Sequence, residues 1–123
     1  MALIVLLAGS AVAIDAPADA GDVEIVEAVA VAESAPDTFT FRVTLRHGDT
    51  GWEHYANAWD IVAADGTVLG KRTLFHPHVD EQPFTRSLTG VAVSPGVQEV
   101  RVRAYDSVHG RSQRTVLVKL PGR

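Results

Sequence analysis

Apolar and polar positions alternate with a period of two along most of the chain beyond residue 21, the pattern of strands with one buried face. Thr38–Arg46 is the clearest case, with Phe39, Phe41, Val43 and Leu45 on one face and Thr38, Thr40, Arg42, Thr44 and Arg46 on the other. Asp22–Glu33 alternates through Val23, Ile25, Val29 and Val31. Tyr55–Ala63, carrying Trp59 and Ile61, and then Thr67–Phe75 and Phe84–Gly90 read as further strands. Val97–Asp106 sets Val100, Val102 and Ala104 on one face, and Arg114–Leu120 does the same with Val116, Val118 and Leu120. Turn residues punctuate the runs at Pro36-Asp37, Ala64-Asp65-Gly66-Thr67 and Ser94-Pro95-Gly96, and Asp-Gly in particular tolerates positive φ. Longer loops fall at Gly48–Glu53, His76–Pro83 and Ser107–Ser112. Seven short strands with tight turns predict an all-β, antiparallel sandwich.

The N-terminus breaks this pattern. Ala2–Ile14 is apolar except for Gly9 and Ser10, too short to span a bilayer and of the length of a signal h-region. Small residues follow at cleavage spacing, at Ala11-Val12-Ala13 or Ala18-Asp19-Ala20, although no basic n-region precedes them. Residues 1–20 are therefore read as a signal peptide, with an uncleaved helix or strand as the alternative, and residues 22–121 as one sandwich domain. The expected location is periplasmic or secreted, without stable membrane insertion. Leu7-Ala8-Gly9-Ser10 has the form of a lipoprotein box with Ser10 in place of the lipidated cysteine, so no lipid anchor is expected.

Composition narrows the chemistry. A chain of 123 residues has room for one domain. Its formal charge of −4 argues against nucleic acid as a partner. The absence of cysteine removes disulfides, thiolate metal sites and thiol nucleophiles together, and the sole methionine, Met1, leaves no thioether site.

Five histidines remain: His47, His54, His76, His78 and His109. If successive strands run antiparallel, the loops near 47–54, 76–83 and 107–112 share one end of the sandwich, and every histidine borders that end. His54, His78 and His109 are the leading candidates for metal ligands, with His76 as substitute or fourth, and Asp80 or Asp106 ligating or orienting an imidazole. A His/Asp set without sulfur fits zinc(II), copper(II) or non-haem iron. His76 and His78 flank Pro77, and in extended backbone their side chains would point to opposite faces. His47, directly after Arg46, reads as a solvated group.

Two resemblances accompany this reading. Trp59 has the position of the core tryptophan in immunoglobulin-like domains, and the hairpin entered through Val100-Arg101-Val102-Arg103-Ala104-Tyr105-Asp106 resembles the last two strands of fibronectin type III modules. Glu53-His54-Tyr55 with Trp59, then Arg103-Ala104-Tyr105-Asp106-Ser107-Val108-His109-Gly110, resembles the superoxide reductase (neelaredoxin/desulfoferrodoxin) pattern. In that family an immunoglobulin-like sandwich holds iron through histidines and a Cys-x-x-His-Gly loop. Here Asp106 stands at the cysteine and His109-Gly110 at the His-Gly. The resemblance implies a mononuclear site in equivalent loops; without the thiolate it does not imply the family's reductase activity.

Other chemistry is set aside. Asp106, Ser107 and His109 lie within one loop, where a hydrolase relay is hard to build. Glu53, Asp80 and Glu81 read as solvated loop acids that, with Asp49, could pair with Arg46, Arg72, Arg86 and Arg111. Trp52, with Tyr55 and Phe75, either packs over the sandwich edge, the preferred reading, or forms an aromatic surface for a partner. The expectation is a metal-binding exported domain for delivery, storage or sensing. The alternative is a non-catalytic protein-binding module with its partner at the histidine-rich end around Trp52 and Tyr55.

Overall fold

The computed structural model describes residues 11–13 and 22–123, and the remainder of the segment read as a signal peptide lies outside these residues. The strands are β1 (Ala11–Ala13), β2 (Glu24–Ala32), β3 (Thr38–Arg46), β4 (Ala56–Val62), β5 (Val68–Thr73), β6 (Phe84–Ala92), β7 (Glu99–Asp106) and β8 (Gly110–Lys119). The seven expected strands are thus present, and Ala11–Ala13 adds a short antiparallel strand on β8. The larger sheet has the order β1-β8-β7-β4-β5 and the smaller β2-β3-β6. All pairings are antiparallel. Among the described residues there is no helix, hence none long and apolar enough to cross a membrane.

The two inner faces meet over Phe39, Phe41, Val43 and Leu45 of β3, Trp59 and Ile61 of β4, and Val100, Val102 and Ala104 of β7, all buried. Burying these side chains, at about 1.5–3 kcal/mol for each large one, is what holds the sheets together. The period-two pattern predicts β3 and β7 because each has one face on the core and one outside. β4 departs from it, with six of its seven residues buried. Its outward Asp60 lies beneath Arg103 of β7, which donates two hydrogen bonds to it at 2.9 and 2.8 Å, while the Tyr105 hydroxyl donates a third at 2.7 Å.

β2 corrects the sequence reading. Val31 is 47% exposed, whereas Ala28 and Ala30 are buried beside Val23 and Ile25. An irregularity between Ile25 and Glu27 shifts the register. One extra residue exchanges the faces of everything beyond it, so alanines meet the bulky β3 positions, with Ala30 opposite Phe41 and Ala28 opposite Val43. β8 also begins earlier than the alternation implied, at Gly110, so the preceding connection shrinks to residues 107–109. A shorter connection holds Asp106 and His109 in a tight turn, which matters for the site.

Candidate metal centre

Because each strand reverses its predecessor, the connections 47–55, 74–83 and 107–109 emerge at one end, as the alternation required. Asp106, the last residue of β7, is 2% exposed there and faces inward. Its Oδ1 accepts the backbone N–H groups of Val108, at 2.8 Å, and His109. These bonds fix the carboxylate and leave Oδ2 to the imidazoles. Oδ2 lies 3.3 Å from His47 Nε2, 3.4 Å from His54 Nε2 and 3.0 Å from His109 Nδ1. The His47 and His54 rings sit 5.0 Å apart and the His54 and His109 rings 5.1 Å apart.

Burial alone would raise the Asp106 pKa. The hydrogen bonds from the His109 backbone and side chain, the Val108 N–H and His54 outweigh it and hold the carboxyl at about 2. It is an anion throughout the neutral range.

Asp49 completes the arrangement from behind. Its Oδ1 lies 2.6 Å from His47 Nδ1 and accepts the Ala56 N–H at 2.9 Å, and its Oδ2 accepts the His78 N–H at 2.7 Å. A carboxylate that accepts every bond it makes assigns the His47 proton to Nδ1. His47 Nε2 then presents either a second proton or a lone pair toward Asp106. Imidazoles that ligate metals are oriented in this way, by a carboxylate on the far nitrogen. His47 and Asp49 are 4% and 6% exposed, which corrects the expectation that His47 is solvated and that Asp49 pairs with a surface arginine. The strand-end position of His47 gave no sign that the chain folds back over it.

His47, His54 and Asp106 each offer a ligand atom, all within 4.8 Å of one another, close enough to hold one metal ion. With metal–ligand bonds of roughly 2.0–2.2 Å, neighbouring ligand atoms in tetrahedral or octahedral geometry are separated by roughly 2.9–3.6 Å. The His47 and His54 contacts to Asp106 Oδ2, at 3.3 and 3.4 Å, fall in that range; His109 Nδ1 is 3.0 Å from the same oxygen but is not among the three residues whose ligand atoms all lie within 4.8 Å of one another.

The other sequence candidates are placed elsewhere. His78 is buried and stacks on Phe84 at 3.9 Å, and its Nε2 accepts a hydrogen bond from Arg86 at 2.8 Å. His76 is exposed, 4.6 Å from the His78 ring, with Nδ1 against the Pro77 carbonyl. The two rings therefore lie on the same side, because the loop bends where extended backbone would have separated them. Asp80 is exposed and borders a groove with Trp52, His76 and Val79. Trp52 is 66% exposed, edge-on to Tyr55 at 5.7 Å, so it does not pack over the sandwich edge.

Burial, followed by the charge of Arg86 and the proximity of His76, lowers the His78 pKa. His78 then stays neutral in the folded state while the unfolded chain takes up a proton below about pH 6.5. Its contribution to stability is complete above that pH and is lost as pH falls through the lowered folded value. Metal-free protein is therefore expected to lose thermal stability relative to His78→Gln as pH falls below about 6.5. Circular-dichroism melts across this range check it; equal slopes in both proteins would refute the role of His78.

No family model matches the chain, and no solved structure matches it. Over 78 residues the chain is 41% identical to a protein of Halomicrobium mukohataei described as a "Putative lipoprotein". The match covers 63% of this chain and 38% of that protein, so the chain is similar to one part of a longer relative.

Proposed function

We propose that this domain binds a single transition-metal ion through His47, His54, His109 and Asp106, at the cell envelope or outside it. The observation that carries the reading is the convergence of three imidazole nitrogens on one oxygen of Asp106. Three neutral nitrogen donors and one carboxylate suit zinc(II), copper(II) or iron(II). With Asp106 as a fourth ligand the set is suited to holding an ion, and delivery, storage or sensing is the role we propose for it. His109, with its side chain 49% exposed, gives the ion a way in and out. The description of the relative supports an exported location, and the three-on-four arrangement of β2–β8 supports an immunoglobulin/fibronectin type III-like framework.

The test is elemental analysis of untagged protein exposed to each of the three metals and then desalted. One metal is expected to remain at close to one ion per chain, and His54→Ala and His109→Ala to lose it while keeping the β-sheet spectrum. Absence of retention with every metal would overturn the proposal. The exposed Trp52 beside His76 and Val79 favours a second reading, a protein-binding module. That reading predicts loss of a partner on Trp52→Ala with no dependence on metal.

A further inference from the structure

The outer face of the larger sheet carries a feature that the metal centre does not use. Arg101 and Arg103, two apart on β7, point outward together, because inward Val102 lies between them. β8 is irregular opposite this stretch, where its register against β7 shifts between Arg103 and Tyr105. Beside it lies a cleft of about 490 Å³ lined by Arg101, Arg103, Arg111 and Gln113 and walled on the other side by Val62, Ala63 and Ala64. No carboxylate lines it among the described residues, although the whole chain has a formal charge of −4.

The three guanidinium groups are not equivalent. Arg103 is neutralised by Asp60, with Nη2 2.8 Å from its Oδ2. Among the described residues Arg101 has no carboxylate partner; its Nη1 donates to the Thr115 hydroxyl at 3.2 Å. Arg111 faces the same space from β8. The cleft thus sets two guanidinium side chains, Arg101 and Arg111, beside a small apolar wall. Planar guanidinium groups bind phosphate and carboxylate oxygens in paired hydrogen bonds, and the apolar wall accepts a short hydrocarbon body.

We propose that this cleft binds a small organic oxyanion, a phosphate or carboxylate with a compact apolar body, its acidic group between Arg101 and Arg111 and its body on Val62–Ala64. The site shares no residue with the histidine cluster and stands whether or not a metal binds there.

Nuclear magnetic resonance titration of the full chain with inorganic phosphate and with phenyl phosphate, at low ionic strength, tests it. Saturable shifts are expected at Gln113 and Thr115, with phenyl phosphate binding more tightly than phosphate. The Arg101→Gln/Arg111→Gln double variant is expected to weaken binding about tenfold or more. Both side chains are solvent-facing, and Arg111→Gln alone should already weaken binding if the fold of the double variant suffers. Lack of saturation with either probe, unchanged affinity in the variants, or shifts confined to the histidine end would overturn the proposal. Sedimentation with phosphatidylglycerol vesicles separates the sources of the anion. Capture by vesicles without binding of the soluble probes would point to a lipid headgroup and also overturn it.

Discussion

Asp49→Ala is expected to lower the stability of the metal-free protein by about 3–5 kcal/mol, the largest effect of any single change at the histidine end. The Asp49 carboxylate is fully buried and accepts from His47 Nδ1, the Ala56 N–H and the His78 N–H. It therefore ties the start of β4 and the β5–β6 connection to its own loop. Alanine strands all three donors where water does not reach them, and each unpaired buried donor costs about 1–3 kcal/mol, only partly recovered by relaxation. Asp49→Asn separates this structural role from an effect on the metal. It retains one acceptor oxygen but weakens the hold on the His47 proton, and metal affinity is expected to fall about 10–100-fold with a smaller loss of stability. Urea unfolding and competitive metal titration measure the two effects. If Asp49→Ala stayed within about 1 kcal/mol of the parent, the buried triple acceptor would not clamp these loops.

Asp106→Ala is expected to abolish metal retention and to cost about 2–4 kcal/mol without metal. Two backbone N–H groups of the 107–109 turn lose their acceptor, and three imidazoles lose the anion between them. The charge contributes separately from the turn. The folded pKa is about 2 against an ordinary 3.8. Its stabilisation, about 2 kcal/mol, is therefore present above about pH 4 and disappears as pH falls through the folded value. Asp106→Asn keeps an oxygen for the turn and removes the charge. It should therefore lose this acid limb and the metal while retaining more stability than alanine. Denaturant titrations from about pH 6 to 2 resolve the difference. An unchanged acid limb in Asp106→Asn would show that the carboxylate does not titrate as its hydrogen bonds require.

Much of this arrangement can be read from local pattern, because local pattern is set by neighbouring residues. The Phe39–Leu45 alternation identifies β3 since one face of that strand meets the core and the other meets solvent. Antiparallel succession then places every histidine at one end without reference to any side-chain contact. Both inferences need only strand period and chain reversal. β2 escapes them because its bulge exchanges faces in mid-strand, and the apolar Val29 and Val31 look like better core residues than Ala28 and Ala30 until the size of the opposing phenylalanines is known.

The site itself divides in the same way. Asp106 and His109 are legible as a pair, being three apart across a tight turn whose amides bind the carboxylate. His47 is not. Its role depends on a loop that turns the ring inward and on a buried acid two residues away, and neither leaves a periodic mark. His78 looks equivalent to His54 in sequence, yet Phe84 and Arg86 of β6 hold its ring elsewhere. The sequence by itself determined the seven main strands, the alternation of β3 and β7 and the end at which the imidazoles gather, because these follow from short-range hydrophobic period and turn chemistry. Only the tertiary structure decided which imidazoles share Asp106, because that depends on loop paths and buried hydrogen bonds between residues more than 50 positions apart, such as His54 and Asp106.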